Sequence, residues 1–186
     1  MNTVFIVVYA VWFISEVLLG RLRRSNDKDQ KRDDRHSLLV IWLVIAFSMP
    51  LASVLSKSVY APIAENEWIT YAGLGLIMTG IVFRFWVIRS LGKFFTVDVA
   101  IREGHQLKTD GIYSVVRHPS YLASWLSFVG YGISLNNWLS LLLIGSAILA
   151  AFLNRIRVEE DVLMKQFGEQ YKRYRGTTKA IIPGVY

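Results

Sequence analysis

The chain has 186 residues, a length that in a water-soluble protein would make one domain. Apolar residues make up 53% of it and are clustered, which excludes an ordinary soluble fold, and the absence of cysteine excludes disulfides, thiolate nucleophiles and Cys-ligated zinc. The formal charge of +7 sits on residues that flank apolar runs, so it reads as a topology signal facing anionic headgroups rather than a nucleic-acid footprint.

The first apolar run, residues 4–20, has no basic segment before it and no small-residue cleavage site after it, and is expected to be a retained span. The second, residues 37–56, contains Pro50, which predicts a kink. The third covers residues 68–91. The fourth and fifth, residues 121–135 and 138–153, are separated only by Asn136 and Asn137 and read as a helical hairpin. Each is short: fifteen residues rise about 22 Å against a hydrocarbon core of about 30 Å, so their ends are expected to extend. The expected fold is an all-α integral membrane protein with five transmembrane helices and a cytoplasmic C-terminal amphipathic helix.

Orientation follows from the basic residues. Between the first two runs lie Arg21, Arg23, Arg24, Lys28, Lys31, Arg32 and Arg35, and the next loop has only Lys57. Lys93, Arg102, Lys108 and Arg117 follow the third run, the hairpin turn has none, and the tail carries seven, from Arg155 to Lys179. This alternation predicts an outside N-terminus and a cytoplasmic C-terminus. The two long cytoplasmic segments, 92–120 and 154–186, would then share a face, and a site between them would lie at the membrane surface. We therefore divide the chain into an N-terminal three-helix region, 1–91, and a candidate catalytic region, 92–186.

Within the spans, Glu16 and Arg84 are costly in hydrocarbon: Arg84 is a candidate for a buried role and Glu16 for pairing with a basic residue on another span, while Arg89 can reach the interface. Gly73, Gly75 and Gly80 lie in an apolar helix without a preceding strand, so they suit close helix packing rather than nucleotide binding. Three scattered histidines with no HExxH or HxH spacing predict no metal site. In the loop, Gly111 to Tyr113 reads as a turn. Pro119 fits the first position of a helix with His118 as its cap, which aims the positive end of the helix dipole at the cytoplasm. The tail has helical spacing, with Gly176 as a plausible stop. Arg155 and Glu159 are four apart and share a face. The bland alternative for this tail is a surface helix with solvated charges. Against it, the acidic run Glu159 to Asp161 is unsuited to adhesion on an anionic leaflet.

The segment GIYSVVRHPSYLASWL (111–126), the hairpin after it, RIRVEE (155–160) and FGEQYKRY (167–174) together resemble the isoprenylcysteine carboxyl methyltransferase family, relatives of the phospholipid N-methyltransferases. The resemblance covers roughly residues 93–186. It implies S-adenosyl-L-methionine as methyl donor, with S-adenosyl-L-homocysteine as product, and a lipid-linked or prenylated acceptor met at the bilayer, with neither metal nor nucleic acid as partner. Carried over by position, it implies cofactor contacts at Asp98, His105, Gln106, Leu107, Lys108, Tyr113, His118, Pro119, Ser120 and Tyr121. Gln106 and Lys108 differ from the eukaryotic relatives, which favours backbone contacts there. Arg155 and Glu159 match the pair nearest the reaction. Carboxyl O-methylation is the expected activity. N-methylation of a phospholipid or small amphiphile, and a non-catalytic membrane binding or transport role, are the alternatives.

Overall fold

A computed structural model describes residues 3–22, 30–31, 35–92, 100–101 and 107–184. Among them the chain forms six α-helices: α1 (Thr3–Leu22), α2 (Arg35–Ser58), α3 (Trp68–Leu91), α4 (Pro119–Ser134), α5 (Trp138–Phe167) and α6 (Glu169–Thr177). Two short strands, β1 (Gln30–Lys31) and β2 (Ala100–Ile101), pair antiparallel with Gln30 opposite Ile101. Among the described residues three helices are long and apolar enough to cross a membrane: α2 from His36 onward, α3 and α5. The apolar stretch of α1, Thr3–Leu19, is shorter, and α4 has 16 residues.

Large apolar side chains face outward, Phe47 at 72% exposure and Val82 at 65%. Such a surface would associate in water, whereas in hydrocarbon it costs nothing. The interior is a belt of aromatic and branched residues. Trp12 of α1 packs edge-on against Phe128 of α4, and Phe128 against Phe152 of α5. Helix α2 runs unbroken through Pro50.

The closest packing is α3 against α4, and glycine makes it possible. A Cβ on Gly73 would lie 2.6 Å from the Gly130 carbonyl oxygen, and one on Gly80 2.7 Å from that of Ala123. At Gly73 every near obstacle is a backbone atom, so a side chain would have to push the helices apart. Gly73→Ala is therefore expected to cost about 1–3 kcal/mol of stability, read as a lower thermal midpoint in detergent. Gly75 has nothing within 4 Å of its Cβ position, so Gly75→Ala serves as the neutral control.

The α4–α5 turn is pinned rather than merely polar. Asn136 takes a positive φ of 48°. Its side chain accepts from the amides of Ile63 and Ala64 and donates to the Ala64 carbonyl. Asn137 caps α5 by accepting from the Ser140 amide at 3.0 Å and donates to the Val59 carbonyl at 2.8 Å. Side-chain amides thus tie the α2–α3 connection to this turn.

The fifth run and the tail helix, expected as separate elements, are one 30-residue helix, α5, continuous past Leu153. Hydropathy changes there, but no glycine or proline interrupts the backbone. The break falls at Gly168, whose φ of 50° favours glycine, while Gly176 is helical inside α6. Beyond α6 the chain turns back: the Arg117 amide donates to the Lys179 carbonyl at 2.8 Å and the His118 amide to that of Ala180 at 2.9 Å. Ile181 is fully buried against Ile156 and Leu122.

Candidate active site

Four segments meet at one end of the α4–α5 pair: residues 115–118, the first turn of α4, the polar half of α5 beyond Leu153, and residues 171–180. Pro119 opens α4 and His118 precedes it as cap, although its imidazole makes no capping bond. The ring instead faces two carboxylates. Its Nε2 lies 3.4 Å from Glu160 Oε1 and its Nδ1 3.8 Å from Glu159 Oε2. Tyr121, in the first turn of α4, donates its hydroxyl to Glu159 Oε2 at 3.0 Å.

Glu160 is the hub of this cluster. It accepts from Arg117 Nε at 2.7 Å, and Arg175 Nε approaches at 3.4 Å. Arg117 Nη1 also donates to the carbonyls of Thr178 and Arg175, so one guanidinium ties the loop before α4 to α5 and to the returning tail. Burial alone would raise the Glu160 pKa. The hydrogen bonds from His118 and Arg117, with their charges, outweigh it and pull the value down to about 2. Tyr171 is buried beside Glu160, and its hydroxyl pKa is raised by that burial and by the neighbouring negative charge. Tyr174 donates to the Tyr113 carbonyl at 2.6 Å and holds α6 against the Gly111–Ser114 turn.

Arg155 is 1% exposed and donates to Ser37 Oγ of α2 at 2.6 Å. It shares a face of α5 with Glu159, and the two charges interact. On α3, Arg84 pairs with Glu16 of α1.

Of the residues singled out from the sequence, His118, Pro119, Ser120, Tyr121, Arg155 and Glu159 gather here. Tyr113 is buried beneath α6. Leu107 is half-buried, and Lys108 pairs with Asp110 at 3.0 Å near the surface. Asp98, His105 and Gln106 lie outside the described residues. Sequence reasoning missed Glu160, Arg175, Thr178 and Ser37. For Glu160 the signal was present in the acidic run, but the four-residue spacing from Arg155 selected its neighbour.

Fold and site together define a helical membrane protein whose polar groups are collected at one end of an apolar helix pair. A sequence model described as phospholipid methyltransferase matches residues 68–170. Protein-S-isoprenylcysteine O-methyltransferase B of Arabidopsis thaliana is 31% identical over 144 residues, 76% of this chain and 73% of that protein. The protein-S-isoprenylcysteine O-methyltransferase of Schizosaccharomyces pombe is 35% identical over 114 residues, 60% of this chain and 48% of that one. A solved structure of the eukaryotic intramembrane Ras methyltransferase, isoprenylcysteine carboxyl methyltransferase, shares the fold with a TM-score of 0.64 at 23% identity. That superposition covers 98% of this chain and 64% of the other. The chain belongs to the isoprenylcysteine carboxyl methyltransferase family, within the wider phospholipid methyltransferase family, and is a methyltransferase of that type.

Proposed function

We propose that the protein methylates the carboxylate of a prenylcysteine-like acceptor, with S-adenosylmethionine as donor, at the cytoplasmic surface of a membrane. Five helices, α1 to α5, would span the bilayer with the N-terminus outside. The polar half of α5, α6 and the returning tail would lie on the cytoplasmic side, and residues 92–186 would form the catalytic region. The observation that carries this reading is the buried acid–base cluster built where α4 and α5 leave their apolar stretch.

The residues present fit such a donor. The side chain of Glu159 is a third exposed and supplies a carboxylate for an ammonium group. The start of the 16-residue α4 has no side-chain cap bond, which leaves its positive end for a carboxylate. Leu107, Lys108, Tyr113, His118, Pro119, Ser120 and Tyr121 would surround the donor, joined by Asp98, His105 and Gln106. S-adenosylmethionine, when bound, supplies an electrophilic methyl group on sulfur. A terminal carboxyl with a pKa of about 3.5 is already ionised near neutral pH and needs no base. It needs alignment and loss of its water shell. Arg155 would orient it through parallel hydrogen bonds, with Glu159 holding Arg155 or the donor ammonium.

N-methylation of an amine is the second reading. It is favoured by the description of the matching sequence model and by an imidazole lying between two carboxylates, a group able to take a proton. Incubation with methyl-labelled donor and either a farnesylcysteine analogue or phosphatidylethanolamine separates the two. The expected product is a base-labile ester that releases volatile label. A base-stable methylated amine as sole product rejects the carboxylate reading.

A further inference from the structure

Helix α2 packs along α5 and runs the opposite way, and hydrogen bonds step along the pair. Asn137, the cap of α5, donates to the Val59 carbonyl just past the end of α2 at 2.8 Å. Ser140 Oγ donates to the Ala52 carbonyl at 2.7 Å, and Arg155 Nη1 to Ser37 Oγ at 2.6 Å. Fifteen residues lead from Ser140 to Arg155, and fifteen from Ala52 back to Ser37. The two helices therefore keep one register over about 22 Å. Between these bonds Ile41 of α2 and Ile144, Ile148 and Ala151 of α5 are buried in the shared core.

This register delivers Ser37 to Arg155. Ser37 stands in the first turn of α2 and is 6% exposed, beside a guanidinium that is 1% exposed. A serine at a helix start commonly serves its own backbone. Here its oxygen also accepts from the side chain of another helix. A guanidinium carries only donors, so where water is excluded it needs protein oxygens. Apolar packing can hold the stem of an arginine, but the orientation of its planar head is set by what its N–H groups bond. A slide of α2 by one residue would carry Ser37 about 1.5 Å along the axis and break the bond. Ser37 lies outside the residues 68–170 matched by the family sequence model, so this contact comes from the part of the chain that otherwise reads as a membrane anchor.

We propose that Ser37 is a positioning residue for methyl transfer: from α2 it fixes the orientation of the Arg155 guanidinium, and the catalytic region of residues 92–186 is incomplete without that helix. The inference rests on the methyltransferase reading above, with Arg155 as the group that orients the acceptor.

The test uses the full chain in detergent with methyl-labelled S-adenosylmethionine and a farnesylcysteine analogue. Ser37→Ala is expected to lower kcat by about tenfold to a hundredfold, the range for a reacting group displaced by up to about 1 Å. KM for the donor should change less than about twofold. Ser37→Thr keeps the oxygen and should restore most of the rate. A serine that only supported the helix start would shift the thermal midpoint without this split between kcat and KM and without this rescue. Should Ser37→Ala not fold, Ser37→Cys, close to serine in size but a weak acceptor, carries the same expectations. In an Arg155→Ala background Ser37→Ala should cost nothing further, because the two side chains act as one unit. Full rate in folded Ser37→Ala, or a loss that multiplies that of Arg155→Ala, overturns the proposal and leaves the methyltransferase reading standing. If the unaltered protein forms no base-labile ester from the analogue, the carboxylate reading fails and the proposal falls with it.

Discussion

Arg155→Ala is expected to lower the rate of methyl transfer by about a hundredfold or more, the usual cost of losing one positioned donor at a reacting centre. Arg155 is buried at the boundary of the apolar part of α5, and Ser37 of a second helix holds one arm of its guanidinium at 2.6 Å. A guanidinium held in this way keeps a set orientation, which a carboxylate acceptor requires and which a flexible surface arginine would not provide. Arg155→Lys keeps the charge and loses the fork, so it should recover only a small part of the rate. Glu159→Gln should lose activity on the same scale, because the amide keeps the hydrogen bond from Tyr121 but cannot pair with a cation. Initial rates at saturating donor and acceptor measure the effect, with size-exclusion profiles and thermal midpoints showing that the variants fold. Unchanged rates in folded Arg155→Ala would remove this pair from the reaction.

The sequence located the elements whose boundaries are chemical. Helix α3 has the bounds read from its apolar run, Trp68 to Leu91, and Pro119 starts α4 because a residue without an amide hydrogen is at no disadvantage there. A basic partner for Glu16 on another span was open to inference for a similar reason, since opposite charges in hydrocarbon seek each other, and that partner is Arg84. The end of α5 was not legible, because a change from apolar to polar side chains moves a helix out of the bilayer without stopping it. Nor was the centre of the polar cluster. The bonds of Glu160 run to residues 42 and 43 positions away, brought near by the tail pairing beside residues 115–118. No local period encodes such a meeting. The i,i+4 rule sees only partners on the same helix, so it found Glu159 and passed over its neighbour.

Glu160→Gln tests how much that hub contributes to assembly. The carboxylate is the shared acceptor for Arg117 and His118, and the Glu160 and Arg117 side chains are only 10% and 7% exposed. Removing one partner of a buried pair leaves the other charge without compensation, a loss of about 3–5 kcal/mol. Arg175 contributes little beside this, since more than half of its side chain is in solvent. Because Arg117 also holds the Thr178 carbonyl, the loss should appear first as release of residues 178–182, seen as faster amide exchange at Lys179 and Ala180 and earlier proteolysis of the tail. The same carboxylate makes the docking sensitive to acid. Its pKa lies near 2 in the folded chain, below the ordinary 4.5. The stabilisation is therefore complete above about 4.5 and disappears as the pH falls toward 2. The native protein should lose tail protection across that window, whereas Glu160→Gln should start with little and show no such step. Equal exchange rates for the two proteins at neutral pH would mean that the apolar contacts of Ile181 alone hold the tail and that Glu160 has no part in closing the site.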